Sequence, residues 1–266
     1  MMRCNSLIVA TVAAVLLGSV VVAGQDATEI MKKSHLAYYY AADDGVADLH
    51  MSIVDKKGKE RVREFTMLRL DIDEGGDQRY YTYFRRPSDV ARLTFMVHKT
   101  VRGNDKRWIY IPSVDLVKQI SADDKNSSFV GSDFTYEDVS GRLWSEDNHS
   151  LIGDSTIDSS AVFMVESIPR EKYKGFARKL SYIDKKTFLP LYEQFFNTKG
   201  KVMRRFRAEI VEEIDGILTV TRRSMENLKK KRKTTVEFSN VAYNVGLTAD
   251  LFTERYLKSP PRKFIK

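Results

Sequence analysis

The sequence predicts one curved antiparallel β-sheet of about ten or eleven strands with a few helices laid over its concave face, a mainly β arrangement of the α+β class. Three observations lead there. Beyond Gly45 the apolar residues alternate with a period of two, as in "VADLHMSIVD", where Ala47, Leu49, Met51 and Ile53 oppose Val46, Asp48, His50 and Ser52. Turn-forming clusters recur at short intervals: "DKKGKE", "DEGGDQ", "VRGNDK", "DKKT", "NTKGK" and "IDG". Helix-compatible sequence is confined to three short stretches. So few helices cannot cover every inward apolar side chain of a curved sheet, and the remainder are expected to line a pocket.

Taken in order, the chain opens with Arg3 and then the uncharged run Leu7 to Val22, followed by Ala23 with Val21 two residues before it. Residues 1–23 therefore read as a secretory signal peptide and residues 24–266 as one domain. The run is shorter than the ~20 residues of a permanent span. The only cysteine, Cys4, precedes the run and is lost with it, leaving no disulfide, thiol nucleophile or thiolate metal site. Cleavage also removes Arg3, taking the formal charge from +8 to +7. A basic exported chain points to anionic partners, and a membrane surface fits better than nucleic acid, for which no motif is visible.

The mature chain begins with a helix in "DATEIMKKSHLAYYYA", capped by Asp26, with Ile30, Met31, Ser34, Ala37 and Tyr38 at helical spacing. Strands rich in Val, Ile, Thr, Tyr and Phe follow, among them "RYYTYFRR", "RLTFMVHK", "KRWIYIP", "AVFMVES", "LPLYEQFFN" and "KTTVEFSNV". Residues 127–141, "SSFVGSDFTYEDVSG", interrupt them with a turn or two of helix, for which Ser132 or Asp133 is the expected cap. A last short helix falls near Ala249–Leu257.

Few side chains carry a chemical signature. His35, His50, His98 and His149 are scattered, without the clustered ligands a zinc site needs. Ser132 lies in no nucleophile elbow. A lipid hydrolase using it with His98 or His149 is the enzymatic alternative, set against a capped turn covering the concave face. Asp123, Asp124, Asp133, Glu137 and Asp138 match no calcium loop. No catalytic residue, metal or cofactor is expected. The basic run Lys229, Lys230, Lys231, Arg232 and Lys233 lies between the last two long strands. It reads either as a solvated hairpin end or as a contact for anionic headgroups, each worth ~1 kcal/mol near such a surface. The chain carries 13 Tyr, 14 Phe and 2 Trp, many of them on strands, which is more aromatic surface than a thin core needs.

"WIYIPSVDLVKQI" followed by "SFVGSDFTYEDV" resembles the outer-membrane lipoprotein-sorting, or LolA-like, family in its longer branch. The pattern falls on Trp108, Tyr110, Pro112, Lys118, Phe129, Gly131, Ser132, Asp133, Phe134, Tyr136, Glu137 and Asp138. "YIDKKTFLPLYEQFF" and the closing "LTADLFTERYL" resemble the same carriers. The resemblance implies an open half-barrel whose helices lie in its mouth, over a hydrophobic cavity for the acyl chains of a lipoprotein or other lipid. Phe84, Phe95, Trp108, Tyr110 and Phe195 are then expected to line the cavity from the sheet, and Phe129, Phe134, Tyr136 and Val139 from a lid. It also implies a periplasmic, monomeric carrier that shuttles its cargo toward the outer membrane, docking on the membrane or an envelope transporter. The remaining alternative is an adaptor of an envelope exporter with no ligand of its own.

Overall fold

The computed structural model describes residues 26–265, so the expected signal peptide lies outside the described residues. Thirteen strands form one antiparallel sheet, and the order in space explains the molecule. Strands β1 (Asp44–Val54), β2 (Glu60–Asp71), β3 (Gln78–Arg86), β4 (Thr94–Lys99), β5 (Lys106–Ile111) and β6 (Leu116–Ile120) step outward from the centre to one edge. The chain then crosses to the opposite edge. It returns through β7 (Asp147–Ile157), β8 (Ser160–Pro169), β9 (Arg178–Asp184), β10 (Pro190–Phe196), β11 (Val202–Ile214), β12 (Ile217–Asn227) and β13 (Arg232–Tyr243). Strand β13 pairs with β1, joining the two runs at the middle.

Two strands beyond the ten or eleven expected are the edges, β6 and β7. Both are largely exposed, so neither carries the in–out alternation that marks an inner strand. Helix α1 (Ala27–Tyr39) starts where expected, with Asp26 accepting from the Thr28 amide at 3.0 Å. Its Ala27, Ile30 and Met31 pack on Phe163, Val165 and Ile183 of β8 and β9.

Both faces of the β1–β5 wing are covered. On the concave face Leu49, Met51, Phe65, Phe84 and Phe95 join Phe129 and Phe134 in the main core. On the other face Leu68, Tyr81, Met96 and Tyr110 pack beneath the C-terminal segment, through Leu247, Phe252 and Leu257 of the stretch that holds α3 (Glu254–Lys258). Trp108 sits with this second cluster, its indole edge-on to His98 at 4.9 Å between ring centres. Trp108 and Tyr110 therefore face away from the concave side, a correction to their expected place in the cavity. The physical reason is that both faces of β3–β5 are apolar, so period-two alternation does not say which side is inward.

One carboxylate fastens the start of the C-terminal segment to the sheet. Asp44, 5 % exposed, accepts from the amides of Val245, Gly246 and Leu247 at 2.7, 3.0 and 2.9 Å. Replacing it by alanine leaves three amides unpaired at a largely buried site. We expect Asp44→Ala to lower unfolding stability by about 2–4 kcal/mol in urea titrations. The segment after Tyr243 should become the first site of limited proteolysis. Unchanged cleavage there would show that apolar packing and the hydrogen bonds of Tyr81 and Thr94 to the Tyr256 and Leu257 carbonyls hold it without Asp44.

Candidate functional site

Residues 121–146 link the two edge strands and so run as a strap across the concave face. The strap contains 3₁₀ turns at Ala122–Asn126, Phe129–Gly131 and Trp144–Glu146 and a short helix, α2 (Tyr136–Ser140). The cap of α2 is Thr135, not Ser132 or Asp133. Its hydroxyl accepts from the Asp138 amide at 3.1 Å, and the Asp138 carboxylate accepts from the Thr135 amide at 2.7 Å.

Asp133 is instead turned down onto the last strand. Arg232 Nε donates to its two carboxylate oxygens at 2.8 and 3.0 Å, and Thr234 Oγ1 donates to it at 2.8 Å while accepting from the Asp133 amide at 2.9 Å. Arg204 of β11 pairs with Asp138 at 2.5 Å, and Glu137 takes Lys125 at 2.7 Å and the Tyr173 hydroxyl. The strap's far end rests on Lys99, which is 1 % exposed and donates to the Gly141 carbonyl at 2.6 Å. Desolvation holds the Lys99 ammonium below its usual range. At Gly141 (φ +78°) a Cβ would stand 2.8 Å from the Tyr39 ring, so only glycine lets the strap pass over α1. Asp133, Glu137 and Asp138 of the strap thus each meet a cation, while Asp124 takes the Ser121 hydroxyl at 2.9 Å. Among the described residues there is no group of His, Cys, Asp and Glu able to hold a metal ion.

Apolar side chains of the strap fill the β2–β4 end of the trough. Phe129 lies 5.3 Å from Phe95 and 5.9 Å from Phe84 between ring centres, and Tyr136 lies 5.1 Å from Phe95. Phe84 and Phe95 are fully buried there and face packed rings rather than open space.

Space remains further along. A chamber of about 130 Å³ lies between the last turn of α1 and strands β1, β2, β12 and β13, walled by Tyr38, Ala47, Met67, Val220, Phe238 and Val241. A second chamber, of about 80 Å³ and more polar, is bounded by His35, Phe134, Glu137, Tyr173, Glu193 and Phe195. Tyr38, Tyr39 and Arg223 line both. Of the side chains expected in the cavity, Val139 reaches the first chamber, and Phe134 and Phe195 reach the second. The residues missed are those of α1 and β12–β13. The tyrosine triplet in "HLAYYYA", three bulky aromatics at the end of an otherwise small amphipathic helix, was the available signal.

Ser132 is 1 % exposed and donates to the Phe134 carbonyl at 3.2 Å. His98 is bound to the Phe252 carbonyl and His149 to Ser167 and the Trp144 carbonyl, so neither imidazole is Ser132's hydrogen-bond partner. The basic run divides. Lys229, Lys230 and Lys231 are exposed at the rim of an open crevice of about 750 Å³ that also takes in Lys174, Lys201 and the strap. Arg232 is turned inward onto Asp133, and Lys233 pairs with Glu209 at 2.8 Å.

The roofed trough is the architecture of LolA-like proteins. A structure described as an outer membrane lipoprotein-sorting protein domain from Vibrio parahaemolyticus is 25% identical, with TM-score 0.81 over 87% of this chain and 98% of that one. A DUF1329 family protein from Desulfovibrio piger is 26% identical, with TM-score 0.80 over 87% and 99% of the two chains. A LolA superfamily protein from Nitrosomonas europaea shares the fold at 17% identity and TM-score 0.67, over 86% and 98%. A comparison with curated proteins finds no match. A family model described as "Uncharacterized protein" matches residues 76–259, and the chain belongs to that family, DUF1329, with LolA-like proteins as its structural neighbours.

Two outcomes follow from this geometry. Asp133→Ala strands Arg232 and Thr234 beneath the strap, and we expect a loss of about 3 kcal/mol in stability together with rapid proteolysis within 121–146. Equal protease resistance of variant and parent would show that the aromatic contacts, with the Asp138–Arg204 pair and Lys99, hold the strap without Asp133. The second concerns His35, whose pKa is lowered to about 3, first by burial and then by Lys99 and Lys179. Its folded-state value lies below the unfolded one, so the unfolded chain binds the extra proton. Stability contributed by the neutral ring is complete above pH ~6.5 and is lost as pH falls toward 3. His35→Gln should flatten the pH dependence of stability between 6 and 4 by up to ~1.4 kcal/mol per pH unit. Parallel curves for the two proteins would contradict this.

Proposed function

We propose that the protein is a periplasmic carrier that buries the acyl part of a lipid or lipoprotein beneath the strap and shuttles it toward the outer membrane. The observation that carries this reading is the chamber beside α1, whose wall is largely aliphatic and aromatic and which is covered by the last turn of α1 and by Val139 of the strap. The lipoprotein-sorting description of the Vibrio parahaemolyticus structure supports the same reading. So does the arrangement of Ser132, whose hydroxyl is spent on a backbone carbonyl rather than poised by an imidazole.

The work is burial rather than bond-making. A chamber of about 130 Å³ has room for roughly four or five methylene-sized groups at about 30 Å³ each. At ~0.8 kcal/mol per methylene, five methylenes contribute about 4 kcal/mol gross. Association costs about 4–15 kcal/mol, so one partly buried chain binds marginally and a full chain requires the strap to lift. Marginal binding suits a carrier, which must also release. Lys229, Lys230 and Lys231, exposed at the crevice rim, are placed to meet an anionic membrane surface or an envelope transporter. We assign the chain no catalytic role and expect it to work as a monomer.

The test is mass spectrometry of organic extracts from detergent-free periplasmic protein, parent and Val241→Trp. Val241 lines the chamber and is only half-buried, so an indole there should occupy the space without breaking the core. Stoichiometric phospholipid or acylated peptide from the parent, reduced at least tenfold in the variant, is the expected result. Lysolipid with free fatty acid would favour hydrolysis. A parent that stays empty when offered lipid would sink the carrier reading and leave the adaptor.

A further inference from the structure

We propose, resting on the carrier reading, that the cargo is an anionic amphiphile whose carboxylate or phosphate head is received by Arg223 at the junction of the two chambers.

Arg223 projects from β12 between the apolar and the polar space and lines both, and it also borders a third, smaller gap under the strap. Its guanidinium donates to the Tyr38 hydroxyl at 2.5 Å and lies over the Phe238 ring at 4.6 Å, with Tyr38 and Phe134 at 5.6 and 5.8 Å. Aromatic faces soften the cost of a shielded cation but do not neutralise it. Among the described residues no carboxylate lies within ion-pair distance of Arg223, and its buried Nε has no hydrogen-bond partner.

The charges around it are otherwise matched. Glu137 is met by Lys125, Asp138 by Arg204, Asp147 by Arg142 at 2.9 Å and Glu193 by Lys179 at 2.8 Å. Arg223 is the cation left over. A guanidinium shielded from water favours a carboxylate or phosphate, which accepts two of its N–H groups at once. The polar chamber also holds His35, whose Nε2 is buried without a partner. An oxygen of the head would satisfy both orphaned groups. The tail would then run into the apolar chamber on the other side of Tyr38.

The experiment measures binding of dodecanoate, dodecyl phosphate and uncharged dodecanol, each below its micelle concentration, by calorimetry. Acetate and inorganic phosphate serve as tail-free controls. The protein is the mature chain stripped of lipid, as parent, Arg223→Gln and Arg223→Lys. We expect the parent to bind the two anionic chains at least tenfold more tightly than dodecanol and the tail-free anions weakly. Arg223→Gln should reduce that preference to within about twofold, and Arg223→Lys should keep part of it. Equal affinity for charged and uncharged chains in the parent would overturn the proposal and leave the carrier reading intact. Tight binding of phosphate without dodecanol would mark a small-anion site and overturn the headgroup assignment. Binding of none of the five would remove both readings. Should Arg223→Gln fail to fold, the parent's preference and the lysine variant decide the matter.

Discussion

The pairing of β1 with β13 is the constraint on which the rest of the molecule depends. Antiparallel meanders ordinarily leave their first and last strands at the edges. Here those two strands meet in the centre, which forces β6 and β7, neighbours in the chain apart from one link, to opposite edges. The link between them has no route except over the sheet. A trough roofed from rim to rim therefore follows from connectivity before any side chain is considered. The 26 residues from 121 to 146 are long enough to carry capped turns and a helix on the way across.

Such a roof brings polar backbone over an apolar floor, and each end of the problem is solved differently. At the β2–β4 end Phe129 and Tyr136 pack on Phe84 and Phe95, and the gap closes. At the β11–β13 end the strap descends on Asp133 and Asp138, each satisfied by an arginine of the sheet. Buried ion pairs add little net stability over an apolar pair of the same shape, but they are costly to break one-sidedly, so they fix position more than they tighten. The result is a cover with one greased end and one indexed end, and the unfilled space lies beside the indexed one.

The architecture was legible in the sequence to the extent that each strand has two unlike faces. Leu49, Met51 and Ile53 alternate with polar neighbours and lie in the concave core as their period requires. The edge strands were not legible, since β7 is solvated along most of its length and β6 is five residues long. Trp108 and Tyr110 were misplaced because the C-terminal segment buries their face as thoroughly as the strap buries the other. Arg232 looked like one more surface cation in a run of five, and nothing local distinguishes it. Its partner is Asp133, about a hundred residues away in the chain, a pairing that only the fold creates. Arg223 was invisible for the same reason.

The central pairing also orders the events by which the molecule is made. Hairpins β1–β6 and β7–β13 close loops of a few residues each, whereas β1 and β13 must find one another across nearly the whole chain. Loop-closure entropy places that contact late. Asp133 finds its partners Arg232 and Thr234 only on β13, the last strand to arrive. A chain emerging N-terminus first can thus build a floor, drape its strap and rest it on Lys99, but the Asp133 fastening waits for the final strand. The two wings form a vessel whose last latch closes only when β13 arrives.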